Sequence, residues 1–571
     1  MRVTKHIDGM RAALLAESGV TMIIALLVML VTSLLLVAAF TAATGDSQLS
    51  RTDTTQKQAY YAALAGVQEY EYQLENNPDY WEACPEPKGK VYGEESESYA
   101  VTTLVASSAP SNEDNCSASS PPSNPFKTLI ESKGSLTNTF RVKSVGTSGS
   151  STRSLVATFQ VAGFLNYIYF TQYEDQDPNS YSTSATQKKD CENYRPERIT
   201  LEKQDKITCQ DIEFASEDSV NGPMKTDDKA LICDEAEFGR AGHIPYDPVE
   251  IDLGVESAGN CGGAGGSPVY NTESKKPTEG AAELVPPQSD GSLRTYVESE
   301  DMFTGLTYLE LEGSTKKIKV ITFTNGKEEK TTIGWPKNGL IYVQSGSSGC
   351  GYNEFEQRVT DTNKTKEEEK NCGSVYVKGT YSSSLTIAAE EDLIIDGNIE
   401  EYDVTPPAAP TGTTTLGLIA SRYVRVYHPV EETYTAIGSS KNKCNSYGSG
   451  LGTKEDKYLG SGKCEYTHNE ENCDAPNASG SLTNPWIYAA ILSTSHSFLV
   501  DNDDCGEKLK DLNVYGAIGQ KYRGIVGTGG GNGYIKEYKY DERLATDEPP
   551  YFLAPLKAGW RIARLTAASA G

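Results

Sequence analysis

Histidine is scarce. The five in 571 residues (His6, His243, His428, His468, His496) are scattered, with no HExxH or His-x-His spacing. That removes the usual scaffold of a zinc hydrolase and leaves solvated or structural histidines. Cysteine is not scarce, yet the twelve form no CxxC and no Cys-His cluster, so a zinc finger is excluded as well. No GxSxG nucleophile elbow occurs. The glycine run at residues 527–533 lacks the Lys-Ser/Thr of a phosphate loop and reads as a loop tip or hairpin. Positive charge is in deficit: 52 Lys and Arg against 79 Asp and Glu, a net −27. Nucleic-acid binding needs clustered Lys and Arg, so it is not expected. The acidity reads as a solvated, self-repelling surface, with cation binding as the alternative. Helical stretches are few after Pro78. Tyrosine (34) and glycine (52) are abundant, which favours strands and turns.

One long apolar run is present. Residues 20–43 read VTMIIALLVMLVTSLLLVAAFTAA without a charge. As a helix these 24 residues span about 36 Å, enough for a hydrocarbon core of ~30 Å. Arg2, Lys5 and Arg11 precede the run, so its N-terminal side is expected in the cytoplasm and the bulk of the chain outside. A removable secretory signal is the alternative, with residues 37–39 as its small-residue site, but such a core should be only ~7–15 residues.

Beyond residue 43 the helical pattern becomes amphipathic. Gln58, Ala59, Ala62, Ala63, Leu64, Gly66, Val67 and Leu74 recur at helical spacing, and Pro78 closes the segment. Residues 17–74 resemble the N-terminal segment of PilX-type minor pilins of type IV pili. The resemblance implies a prepilin peptidase cut between Gly19 and Val20. It implies a membrane and filament-core helix that carries Val20, Ile24, Leu27, Leu30, Leu34 and Phe40. The implied partners are other pilins, the pilus assembly platform and the prepilin peptidase. Ordinary pilins place a glutamate at the fifth mature position, where this chain has Ile24. A charge inside a bilayer is costly and usually functional. Its absence resembles the pseudopilins of a filament tip and argues against a shaft subunit.

The cysteines all follow the apolar run. An even count beyond a membrane segment fits an oxidising compartment. Local spacing suggests Cys84–Cys116, Cys191–Cys209, Cys233–Cys261, Cys350–Cys372, Cys444–Cys464 and Cys473–Cys505, although spacing alone does not determine connectivity.

The remainder divides in two. Residues 79–162 hold candidate strands at 99–105, 127–132, 139–145 and 154–161, with turns at Gly134, Gly146 and Gly149. Residues 163–571 hold many short apolar-x-apolar strands separated by Asp-Gly-Asn or Gly-Ser turns. Pairs such as LTIAAEEDLIIDGNI and LGLIASRYVRVYH resemble rungs of a parallel β-helix; a β-sandwich with long loops is the alternative. The expected fold class is therefore mainly β with a long N-terminal transmembrane α-helix, a pilin-like α+β head and a parallel β-helix. The expected organisation is a leader at 1–19, a membrane helix at 20–43, its amphipathic extension at 44–78, an antiparallel sheet at 79–162 and a disulfide-rich β domain at 163–571.

Other candidate chemistry is thin. Residues 219–238 resemble a motif of large actinobacterial PilX-like proteins. Lys225 stands where that motif has histidine and Asp227 where it has asparagine, with Gly222-Pro223 as a turn. Asp175, Asp177 and Asn179 open like a calcium loop, but Ser180 and Thr186 replace its glycine and glutamate. Asp501, Asp503 and Asp504 could likewise hold a loop calcium, and otherwise form a solvated turn. No cofactor is expected. Sequons occur at Asn115, Asn363 and Asn477.

Two functions compete. The preferred one is a minor pilin or pseudopilin at or near a filament tip, with an extracellular head for assembly priming or adhesion through exposed tyrosines to a glycan or protein. It is not an enzyme, and it is a single-pass protein of the cytoplasmic membrane displayed at the cell surface or on a pilus. The rival is a membrane-anchored protein that binds or cleaves polysaccharide, with Asp392, Asp396 and Glu400 as its acids. Fold alone does not license that activity.

Overall fold

The computed structural model describes residues 18–77, 80–83, 85–91, 96–106, 113–115, 139–161, 163–180, 185–193, 209–215, 218–232, 235–257, 267–324, 326–352, 369–430, 458–460, 463–464, 477, 480–503, 505–527, 532–545, 547–556 and 560–568. The chain forms two compact units. One comprises residues 1–123, 139–160 and 560–571, and the other residues 124–138 and 161–559.

The first unit is a helix on an antiparallel sheet. The helix Ser18–Asn76 runs 59 residues. Its lower half buries Ala59, Ala62, Ala63, Val67, Tyr70 and Leu74, the i, i+3, i+4 set that places side chains on one helical face. Against that face lie Val101, Val142, Leu155, Ala157 and Phe159. They come from strands Glu97–Ala106, Thr139–Ser148 and Ser151–Val161, which pair antiparallel in that order. Lys88–Lys90 extends one edge. Trp560–Ala568 pairs beside Ser151–Val161 at the other and so belongs with this sheet rather than with the β domain expected at 163–571. Its alternating pattern supplies an edge strand from the far end of the chain. The expected strand at 127–132 lies outside the described residues.

The fold-class expectation requires correction. The described chain is mainly β with few helices, and among the described residues no helix is long and apolar enough to cross a membrane.

The second unit is built from parallel ladders. In the longest, Met302–Thr304, Leu340–Gln344, Leu385–Ala389, Leu416–Ala420, Trp486–Ser493, Asp511–Arg523, Tyr169–Gln176, Met224–Thr226 and Val249–Ile251 pair successively in parallel. The register aligns Ile341, Ile387, Leu418, Ile491, Ile518, Tyr169, Met224 and Val249 in one apolar column. All eight belong to one buried core. Alternate residues point the other way. Tyr342, Ala388, Ile419 and Leu492 enter a second core, covered by Leu284, Leu293, Leu544 and Phe552. Strands such as Leu385–Ala389 and Leu416–Ala420 are therefore buried at every residue, which explains their continuous apolar character. The order of the ladder is not the order of the chain: Asp511–Arg523, late in sequence, pairs with Tyr169–Gln176 at the start of the unit.

Candidate assembly surface

The lower part of the stem helix is held very close to the sheet. A Cβ placed on Gly66 would lie 2.4 Å from Ser144 Oγ. The Tyr70 hydroxyl and Thr103 Oγ1 are 2.7 Å apart, and the Tyr70 ring packs at 5.7 Å on Phe159. Burial raises the Tyr70 phenol well above its ordinary value, against the weaker pull of the Thr103 hydrogen bond. Polar contacts continue along the interface: Thr55 with Ser151 at 2.8 Å, and Arg153 donating to Gln56 Oε1 at 2.6 Å.

The upper part is the opposite. The large apolar side chains from Met22 to Val37 are 45% to 70% exposed, including Ile24, Leu27, Leu30 and Leu34. Thr32 donates to the Val28 carbonyl at 2.7 Å and Ser33 to the Leu30 carbonyl at 2.8 Å. These hydroxyls turn back onto the backbone, so the surface stays apolar around the helix. A continuous exposed apolar surface of this kind marks an interaction site. Gly19 and Val20 lie in the first turn of the helix, which begins at Ser18. The side chains of Val20 and Phe40 lie outside the described residues, as does the leader before Ser18.

The acids and histidines of the second unit are engaged internally. Arg425 is buried, donating from Nε to Asp501 at 2.7 Å and from Nη1 to Asp392 at 3.0 Å. Asp396 faces Lys378 at 3.5 Å, and Glu400 accepts from Asn398 at 2.9 Å. The three acids of the polysaccharide reading thus serve separate contacts, and Asp392 serves a buried guanidinium. Asp501 belongs to the same cluster rather than to a solvated turn; Asp504 lies outside the described residues. Asp177 accepts from the Tyr423 hydroxyl at 2.8 Å and faces His496 Nδ1 at 2.6 Å; it also accepts from the Asn179 backbone at 2.8 Å. Asp175 is buried, and its backbone forms an antiparallel bridge with Asp211. Among the described residues no group of three His, Cys, Asp or Glu side chains is placed to hold a metal ion.

His428 is fully buried. Its nitrogens face the Asp501 carbonyl at 3.0 Å and Oδ1 of the half-buried Asn477 sequon side chain at 2.9 Å. His243 faces Glu542 at 3.1 Å. His6, His468 and Asn363 lie outside the described residues, and Asn115 ends a short strand, Glu113–Asn115. Gly527 and Gly533 pair as an antiparallel bridge. Most tyrosines of the second unit that the description covers are core residues; Tyr246, Tyr296 and Tyr402 are among the exposed ones.

Two disulfides join Cys191 to Cys209 and Cys350 to Cys372. Cys505 is also disulfide-bonded. Cys84, Cys116, Cys233, Cys261, Cys444 and Cys473 lie outside the described residues, and Cys464 ends the short strand Lys463–Cys464.

Two features escaped sequence reasoning. Asp290 is buried beneath the Tyr342 and Ser421 hydroxyls, at 3.1 and 2.8 Å, and burial pushes its carboxyl up to about 7. Arg523 is buried between Glu174 at 3.1 Å and the ring of Phe214 at 3.5 Å. Neither has a local signal, because the partners are distant in sequence.

No family model matches this chain. No curated protein matches it. Among solved structures, the competence-associated pilin ComZ from Thermus thermophilus aligns over 90% of this chain and 98% of its own, at 10% identity and a TM-score of 0.24. An overlap at that score carries no argument about this chain.

Proposed function

We propose that this protein is a minor subunit of a type IV pilus or pseudopilus, PilX-like in its stem, placed at or near a filament tip. The observation that supports this reading is the division of one helix into two surfaces. Below, it is packed on an antiparallel sheet; above, among the described residues, its large apolar side chains from Met22 to Val37 are exposed. Leaving that area in water costs roughly 25 cal/mol per Å². Apolar helices of neighbouring subunits, packed side by side, would cover it. Other pilins, the assembly platform and the prepilin peptidase are the partners this requires.

A tip position follows from size. A second unit of more than 400 residues could not easily repeat along a tightly packed shaft. Ile24, in place of a charged residue, agrees with it. The two disulfides favour a location outside the cytoplasm. The head would serve assembly priming or adhesion. The reading assigns no catalytic residue, because Asp392 is committed to Arg425.

The test is the mature N-terminus of the native protein, mapped by peptide mass spectrometry. A start at Val20, lost in Gly19→Arg together with filament incorporation, is expected. An uncut leader, or a start near Phe40, overturns the reading.

A further inference from the structure

On the outward face of the longest ladder, Phe170, Lys225 and Glu250 occupy adjacent positions on three neighbouring parallel strands. Lys225 is 1% exposed, and among the described residues its Nζ makes no hydrogen bond. Glu250 Oε2 lies 3.3 Å away and Asp227 Oδ1 3.4 Å away. Both distances exceed the ~2.7–2.9 Å of a well-formed charge-assisted hydrogen bond. Phe170 packs in the apolar core on one side. Leu284 covers the site and donates its backbone N–H to Asp227 Oδ2 at 2.8 Å. On the other side the Tyr167 hydroxyl donates to Glu250 Oε2 at 3.0 Å.

A buried ammonium without hydrogen bonds is expensive. Transfer of its proton to a neighbouring carboxylate leaves a neutral amine, and a desolvated lysine amine is a nucleophile. The amine stands 3.3 Å from Oε2 of the Glu250 carboxyl group, so the two groups that would react are already neighbours. We propose that Lys225 and Glu250 condense into an intramolecular amide, with Asp227 as the proton relay.

The step balances without any added reagent. The Nζ lone pair attacks Cδ of the protonated Glu250 carboxyl, and an N–C bond forms. Asp227 takes one proton from the nitrogen and delivers it to the departing hydroxyl. The C–O bond breaks, and one water leaves. Tyr167 donates to Oε2, the oxygen that remains as the carbonyl, and so steadies the negative charge that develops there. Overall an ammonium and a carboxylate become an amide and water, which removes two charges from the interior. The product joins Met224–Thr226 to Val249–Ile251 covalently, at directly paired residues.

The experiment is peptide mapping of the purified full chain after reduction of its disulfides. Expected is a branched peptide joining the Lys225 and Glu250 segments, lighter than their sum by one water, and its absence in Lys225→Arg. Asp227→Ala is expected to leave the two peptides separate. Glu250→Gln can form the same amide by releasing ammonia, and a branched peptide of the wild-type mass would identify Glu250 as the acceptor. Separate peptides of full mass in the wild-type protein overturn the proposal and leave a buried ion cluster. A water loss mapped to Lys225 and Asp227 overturns the assignment of the acceptor. The wild-type map decides the matter even where a variant fails to fold.

Discussion

Gly146 lies directly beneath Ala59. A Cβ on Gly146 would stand 2.1 Å from the Ala59 carbonyl oxygen and 2.2 Å from the Ala63 nitrogen. Both obstacles are helix backbone, which cannot rotate aside as a side chain can. The sheet and the stem helix are therefore in contact through a hydrogen atom at this point. Gly146→Ala must push the helix away from strand Thr139–Ser148 or bend the strand. A loss of about 2 kcal/mol is expected, within the range for over-packing a close-packed site. Hydrogen exchange of the helix amides between residues 59 and 74 should accelerate in the variant, while amides of the second unit stay unchanged.

Asp290 should make stability depend on pH. Its folded carboxyl is raised to about 7 from an ordinary 3.8, chiefly by burial. The folded chain therefore keeps a proton that the unfolded chain has already released. For a carboxyl raised on folding, the contribution is fully present below the unfolded value and is lost as pH rises through the folded one. The window thus runs from 3.8 to about 7, and the loss across it is on the order of 4 kcal/mol. Asp290→Asn retains an acceptor for Tyr342 and Ser421 but has no proton to lose. Urea unfolding of both proteins across this window should give a smaller decline for the variant. Glu548, also raised by burial, to about 8, contributes a similar decline to both proteins, so the difference between them isolates Asp290.

Arg425 organises a buried cluster whose loss and whose replacement should differ. Arg425→Met leaves Asp392 and Asp501 facing each other without a cation, and a loss of roughly 3–5 kcal/mol is expected. Adding Asp392→Asn and Asp501→Asn removes the stranded charges and should recover a large part of that loss. Denaturant midpoints of the single and triple variants check this. A triple variant no better than the single one would mean that packing against Tyr352, 5.8 Å from the guanidinium, matters more than charge.

Sequence periodicity reported what is local. The spacing of Ala59, Ala62, Ala63, Val67 and Leu74 marks a buried helical face, and those residues are buried. Strands Thr139–Ser148 and Ser151–Val161 overlap the segments where alternation placed them. What periodicity missed is long-range. Trp560–Ala568 completes the sheet of the first unit, and Asp511–Arg523 pairs with Tyr169–Gln176, because each partner lies hundreds of residues away. The charged residues misled for a related reason. An Arg or Asp read alone looks solvated, yet Arg425 and Asp392 are buried because their counter-charges arrive from neighbouring ladder positions. The apolar run misled in a third way. Hydropathy measures how apolar a segment is and not what covers it, so a membrane and a bundle of partner helices look the same in sequence.

The covering of that helix can be tested with one charge. Leu27 is 58% exposed among the described residues, so Leu27→Glu should leave both units folded as judged by circular dichroism and thermal unfolding. In an assembled filament the same side chain would lie between apolar helices. An isolated carboxylate there must be desolvated at a cost of several kcal/mol or take up a proton. Incorporation of the variant into sheared filaments should therefore fall at least tenfold while its cellular level holds. Tyr61, also exposed but on the part of the helix that lies against the sheet, provides the control: Tyr61→Glu should reduce incorporation far less. Equal incorporation of Leu27→Glu and wild type would mean that no apolar neighbour covers this helix, and the filament reading would lose its main support.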